Sequence, residues 1–547
     1  MVASAAGNDR EALHLRPRST RPLYLCDPIH KQAATKAPVH HVGGRSMKSS
    51  KQSRQSRLKQ KQDAIPFWRD DAGVPPAVFM LSFLVLSGGM LFGGTGGTFG
   101  DTIVQLLALP LIVLSAMQWS QKPLLATDWT ALALIGGIAL LGCAQLLPLP
   151  MWFWSELPAR ADLARDMQSV GIGPGWRSLS LNPYATERAL QWTLPAVAMF
   201  MAVRWTSLRQ LQILMAITCI GAFILLVLAI AENHASQDDV LATANEAIAK
   251  AAFAMQTAQA PLPAPEPQSL PGLFSNRNHF ATLLAMVIPL VVALGLRVWL
   301  FRTKGEPKTW IPWALSLTLV MVALLAGMIE THSRAALVLG PLAILGSLTL
   351  LRHLKIKRMV VWSLVLMAVV GALVAFQLAG SKTVARWDTS PQNDLRWDIH
   401  ATTLDAARHF GPLGSGLGTF VEAYQQVVPV EGYRSRYINH AHSDYHELWL
   451  ETGIPGALLI LGFIAWFVWC SSLAWRTSKH AVKSTLLPRA ASLSILLVLL
   501  HSYLDYPLRK TALLVLFGLC CALIARASRS AQQDLPDERA IRVTSQQ

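Results

Sequence analysis

"NHAHSDYHELWLETGIPGALLILGFIAWFVWC", Asn439 to Cys470, changes character at its middle. The first half carries His440, His442 and His446 together with Asp444, Glu447 and Glu451, and the second half is almost purely apolar. A helix rises 1.5 Å per residue, so about 20 apolar residues cross a hydrocarbon core of ~30 Å. Backbone polar groups in lipid must pair within their own segment, which makes the apolar half a helix. The stretch therefore predicts a helix embedded in a membrane, with imidazoles and carboxylates gathered at its rim.

The rest of the chain agrees. It has 547 residues, 52% hydrophobic and 15% charged, with mean hydropathy +0.36, far more apolar than a soluble domain of that length. About twelve stretches suit a transmembrane helix: Val78 to Phe92, Ile103 to Met117, Trp129 to Leu147, Ala189 to Val203, Leu211 to Ile230, Phe280 to Leu300, Trp310 to Ile329, Ala335 to Leu351, Met359 to Ala379, Leu448 to Cys470, Ala490 to Leu504 and Thr511 to Ile524. The expected fold is all-α and polytopic, with a basic tail over 1–72, a membrane domain over 73–526 and a C-terminal tail over 527–547. A large loop, 380–445, separates the ninth and tenth spans.

Basic residues in short loops are retained in the cytoplasm. "FRTKGEPK", "RHLKIKR" and "WRTSKHAVK" fall on one face, and "GGTGGTFGD" and "IETHSR" on the other. Both termini are thus expected inside, and the segments Pro148 to Arg188, Ala231 to His279 and Gly380 to Tyr445 outside. The net charge of +16 comes largely from Met1 to Arg69, with 14 Lys or Arg against 4 Asp or Glu. That tail has too few apolar residues for a core and suits a solvated arm near anionic lipid. Basic charge without a motif or interleaved aromatics gives no reason to expect nucleic acid. Translation from Met47 would account for the aperiodic stretch before it. The six cysteines show no disulfide framework or CxxC pattern.

Two parts of the outer loop invite chemistry. "LRWDIHATTLDAARHF" reads as a helix capped by Asn393 or Asp394, with Trp397, Ala401 and Leu404 as its apolar stripe and Arg396 and His400 on another face; a helix lying on the bilayer is the plainer reading. "GPLGSGLGTF" follows a helix and lacks GKS or GKT, so it is a turn and not a nucleotide loop. In the opening stretch, Ser443 or Asp444 with Glu447 resembles a capping box, which places His442 at a helix amino end suited to an anion. Thr452 to Gly456 should break that helix, leaving Asp444 to Glu451 as an angled half facing a cavity; Glu451, an acid at membrane depth, suits such a cavity. His442 and His446, spaced i,i+4, would suit zinc, but HExxH and a third ligand are missing, so no metal is expected. A structural set of histidines, or a base for a hydroxyl nucleophile beside a phosphate, are the other two readings.

"NHAHSDYHELWLETGIPGALLI" resembles the signature of the bacterial O-antigen ligase and polymerase superfamily. "FSNRNHFATLLAMVIPL", "ETHSRAALVLG" and "HSYLDYPLRK" fit the same pattern in order and spacing, over roughly Val74 to Arg526. Ser443 stands where that family commonly has Asn. The resemblance implies a GT-C-type glycosyltransferase of the bacterial inner membrane, needing no cofactor and working on the periplasmic face. It would move a glycan from undecaprenyl pyrophosphate, with inversion, to a hydroxyl on an acceptor glycolipid, glycan or protein. Carried over by position, His442 activates the acceptor hydroxyl and Arg334 holds the pyrophosphate. Asn276, Asn278 and Arg396 match further motif positions, and Asp444, Glu451, Asp505 and Arg509 join them as candidate substrate-binding residues. For Arg334 a charge snorkelling to the interface, and for Asp505 and Arg509 an ordinary helix-end pair, are the alternatives.

An O-antigen or exopolysaccharide polymerase of the same superfamily differs only in acceptor. A polysaccharide or lipid transporter would place its polar residues near the midplane, whereas these lie at the outer ends of spans. A non-catalytic scaffold would tolerate loss of His442.

Overall fold

A computed structural model describes residues 73–94, 99–121, 123–173, 175–231, 274–302, 307–352, 395–429, 438–476 and 482–544. The basic tail, Met47, the ninth expected span, the caps Asn393 and Asp394, and most of the Ala231 to His279 segment lie outside them. In chain order the helices are α1 (Pro76–Phe92), α2 (Phe99–Trp119), α3 (Ala126–Leu146), α4 (Met151–Trp154), α5 (Arg160–Ser169), α6 (Pro183–Val203), α7 (Leu208–Ala231), α8 (Arg277–Arg302), α9 (Pro307–Glu330), α10 (Arg334–Leu348), α11 (Leu395–Phe410), α12 (Phe420–Gln425), α13 (Asp444–Arg476), α14 (Val482–His501) and α15 (Thr511–Thr544). Strands β1 (Pro148–Pro150) and β2 (Trp176–Ser178) form one antiparallel pair across α4 and α5, with Leu149 opposite Arg177.

Seven of the described helices are long and apolar enough to cross a membrane, and three shorter apolar helices accompany them. The chain is a multi-pass membrane protein. Burial sorts the helices by their neighbours. From His279 to Val291 every residue of α8 is buried, so it is a central helix, packed most heavily on α14 and α10. Few residues in the apolar stretches of α3 and α13 are buried, and Leu140, Leu458 and Leu461 are exposed, which is how a helix bordering lipid should look.

One end of this bundle collects the polar loops. The carboxyl ends of α3 and α14 meet the amino ends of α6, α8, α10, α13 and α15 there. Gly93 after α1 accepts from Ala512 N, Ser275 N donates to Gly94 O, and Ser180 N donates to Gln145 O. The expected break in α13 falls at Gly453, whose φ of 54° and ψ of −143° interrupt the helix. A Cβ there would meet Pro412 O at 2.0 Å, so only glycine fits. The break frees carbonyls that lipid could not solvate. The glycine-rich turn supplies their donors: Ser415 N to Leu450 O at 3.0 Å and Gly416 N to Glu451 O at 2.9 Å, with Gln145 Nε2 reaching Glu451 O at 3.0 Å. "GPLGSGLGTF" is thus a plug for a broken helix. Buried Arg160 braces it from outside, donating to Leu179 O and Gly414 O, with burial lowering its pKa to about 10.

Two local expectations shift. The buried stripe of α11 is Ile399, His400, Thr403, Ala406, Ala407 and Phe410, whereas Trp397 and Ala401 are exposed. The face bearing Arg396 and His400 therefore turns inward, because it meets α13 and the loop after α14. At the start of α13 the cap is Ser443, whose Oγ accepts from His446 N. Asp444 is already helical, and Glu447 reaches past the cap to Ala441 N at 2.8 Å.

A candidate active site around two ionic clusters

Asp505, on the turn between α14 and α15, is fully buried and lies at the centre of the first cluster. Its Oδ2 accepts from Asn278 Nδ2 at 2.6 Å and lies 3.6 Å from an Arg396 terminal nitrogen. Its Oδ1 accepts from Tyr506 N at 2.9 Å and lies 3.3 Å from His279 Nε2 and 3.8 Å from His442 Nδ1. Burial pushes this carboxyl upward, but the contacts from His279 and His442 and the charge of Arg396 outweigh it, holding Asp505 well below the usual carboxylate range.

The other expected residues reach Asp505 through short links. Asn276 precedes α8 and caps it, its Oδ1 accepting from Asn278 N at 2.8 Å. Ser333, the residue before α10, donates from Oγ to Asn278 Oδ1 at 2.6 Å. Arg334 follows as the first residue of α10 and is exposed. Arg334 and His442 thus stand at the same end of the bundle, joined through Ser333, Asn278 and Asp505.

His442 has φ of 53°, a left-handed backbone that costs a non-glycine residue about 1 kcal/mol or more. Its carbonyl lies 3.2 Å from His400 Nε2, and Asp444 N, two residues on, is held by Ser502 O at 2.9 Å and Asp505 O at 3.2 Å. The twist aims the imidazole away from α13, toward Tyr506 at 5.3 Å between ring centroids, while His446 turns to His400 at 4.7 Å. The two rings do not converge as i,i+4 ligands would, and no group of three metal-binding side chains occurs among the described residues. Because Asp444 N is already paired, the amino end of α13 is less open to an anion than its sequence implies.

Arg509 organises the second cluster. Its guanidinium lies 2.9 Å from Glu451 Oε2, 3.1 Å from Glu447 Oε1 and 3.9 Å from Asp444 Oδ1. Burial alone would lower its pKa, but Glu447 and Glu451 reverse that, and Arg509 stays charged. Asp444 Oδ2 accepts from Ser502 Oγ at 2.8 Å, and Glu447 Oε1 pairs with His440 Nδ1 at 2.8 Å. Asp444, Glu451 and Arg509 thus turn to one another. Only 12% of the Arg509 side chain is exposed, against 28% for His442 and 30% for Arg396.

Several participants escape a sequence reading. Tyr506 packs against His440, His442 and His279 at centroid distances of 4.1, 5.3 and 4.7 Å, and burial raises its pKa. Its place between Asp505 and the "PLR" turn was the only available signal. His279 and Ser333 lie within the quoted motifs, beside the residues singled out there. Lys510, whose pKa burial lowers, donates to Ser275 Oγ at 3.0 Å and so helps seat the turn before α8.

The first cluster thus keeps two partly exposed side chains, His442 and Arg396, at one end of a membrane bundle, and the second is turned inward. No curated protein matches the chain. Residues 319–461, which include Arg334, Arg396, His442, Asp444 and Glu451, match the family model described as O-antigen ligase, and this match supports a place in the O-antigen ligase/polymerase superfamily.

Proposed function

We propose that the protein is a glycosyltransferase of the periplasmic face, moving a glycan from undecaprenyl pyrophosphate to an acceptor hydroxyl, in the manner of an O-antigen ligase. The observation that carries this reading is the partly exposed His442, directed by a strained backbone toward a buried carboxylate, with an arginine-led helix start linked to that same carboxylate. In this scheme Nδ1 faces Asp505 and the opposite nitrogen, Nε2, takes the proton from the acceptor hydroxyl. The hydroxyl oxygen attacks the anomeric carbon, and the bond from that carbon to the pyrophosphate oxygen breaks with inversion. The lipid pyrophosphate departs with the electron pair, and its negative charge is met by Arg334 and Arg396. The 3.8 Å gap between His442 and Asp505 is of the kind that closes when substrate binds.

The fold in this reading is a GT-C-type bundle of about twelve spans in the bacterial inner membrane, with both termini cytoplasmic. A polymerase would run the same chemistry with a second lipid-linked glycan as acceptor. A transporter is less well supported, because the linked polar residues sit at helix ends and not at mid-depth. Purified protein in lipid nanodiscs, given a lipid-linked oligosaccharide and separate candidate acceptors, should release polyprenyl pyrophosphate and form an inverted glycosidic bond. Glycan crossing the membrane without a new covalent bond would sink the proposal.

A further inference from the structure

Beyond the ionic clusters, the bundle contains a cavity of about 380 Å³ between α3, α6, α13 and α15. Its walls are almost wholly apolar, and neither His442 nor Asp505 lines it. The Arg509 cluster closes its polar end, where Asp444, Glu451, Ser502 and Arg509 contribute. The cavity reaches the interior of the bundle. Between Thr511 and Ala525 on α15 the only two residues short of full burial are Leu514 and Phe517, and both face it.

Its dimensions and surroundings indicate an occupant. On α6 the lining runs from Ala189 to Phe200, which at 1.5 Å per residue is about 16 Å, close to the ~15 Å depth of one leaflet's hydrocarbon. An apolar void does not hold water, and in a bilayer the available filler is hydrocarbon. A cation stands at the outer end of that lining. Arg188, one residue before Ala189, places its guanidinium 5.6 Å from the ring centroid of Trp192, a lining residue, and 5.8 Å from that of Tyr184. We infer that the cavity binds one hydrocarbon chain of a phosphate-headed lipid, with the phosphate at Arg188 and the chain running down α6 to Leu514 and Phe517. Neither His442 nor Asp505 lines this site, so its occupancy can be read separately from glycan transfer.

The full-length protein in proteoliposomes containing a phosphatidylglycerol with a photoreactive acyl chain tests this. After illumination, lipid adducts should map to Leu514 and Phe517 as well as to outward-facing Leu458 and Leu461. Ala196→Phe, which fills the cavity, should cut the α15 adducts several-fold and spare those at Leu458 and Leu461. Arg188→Gln should also reduce the α15 adducts. Excess polyprenyl phosphate sorts the two sources of such a chain: displacement assigns the site to a carrier lipid and persistence to a bilayer phospholipid, and either upholds it. Adducts in the wild-type protein confined to Leu458 and Leu461 would overturn the chain site, without recourse to any variant. Undiminished α15 labelling in Arg188→Gln would overturn the assignment of the phosphate.

Discussion

Asp505 and Arg509 are four residues apart on one turn, yet each organises a cluster with a different fate. Around Asp505 one buried carboxylate is surrounded by His279, His442, Asn278 and Arg396, of which His442 and Arg396 remain partly exposed. Around Arg509 one buried guanidinium is enclosed by three carboxylates, all on the first two turns of α13. Both clusters were equally eligible from residue types alone. The difference teaches that a charge whose partners are all internal serves the fold, whereas a buried charge with partly exposed partners can act on a substrate through them.

The largest expected effects separate the two clusters. His442→Ala should lower glycan transfer by about 10² to 10⁴-fold, the usual contribution of a positioned base, with thermal stability in detergent unchanged. Arg509→Met should do the reverse. Removing one partner of a buried ionic set costs about 3 to 5 kcal/mol, so folded yield and melting temperature should fall before any rate is read. Should Arg509→Met fold normally and fail only in turnover, the sealed cluster would have to be moved into the active site.

Arg334→Lys sharpens the open side. An ammonium cannot reproduce the forked contact of a guanidinium with phosphate, and turnover should drop about tenfold with little change in stability. Wild-type turnover in this variant would return Arg334 to the role of a charge snorkelling to the interface.

The pH dependence of stability probes Asp505 itself. Its folded pKa is depressed, so its pairing is fully present above the unfolded value of about 3.9 and is lost only as the pH falls through the lower folded value. The stability difference between the wild type and Asp505→Asn should therefore be flat above about pH 5 and shrink in stronger acid. A difference that already shrinks between pH 7 and pH 5 would mean that the imidazoles, and not Asp505, govern the cluster.

Much of this was legible in the sequence, for identifiable reasons. Apolar runs must become helices in lipid, so the bundle and the break at Gly453 could be read from hydropathy and a Gly-Ile-Pro-Gly run. The meeting of His442, Asn278, Asp505 and Arg396 rests on motifs each expected at the same end of the bundle. What escaped depends on tertiary direction. The stripe of α11 is rotated from Trp397 to His400 because its partner is α13 and not the bilayer. The donors that mend the broken α13 come from a glycine-rich turn whose composition says only that it bends. The segregation of Arg509 from Asp505 follows from which carboxylates lie within 4 Å, a fact that sequence spacing does not carry.

The smallest effect tests how the open cluster is held. His400, on the inward face of α11, lies with Nε2 3.2 Å from the carbonyl of His442, the residue with the left-handed backbone. Arg396, one turn earlier, donates to Leu504 O at 3.2 Å, so α11 braces both the imidazole and the turn bearing Asp505. If that brace acts by donating a hydrogen bond, His400→Ala should reduce turnover several-fold, on the scale of one lost bond of about 1 kcal/mol, with the Michaelis constant for the donor unchanged. His400→Gln, whose amide nitrogen can occupy the Nε2 position, should restore most of that loss. Equal losses in the two variants would make His400 a packing residue that α11 needs for docking, and the strained backbone of His442 would then be set by Ser502 and Asp505 alone.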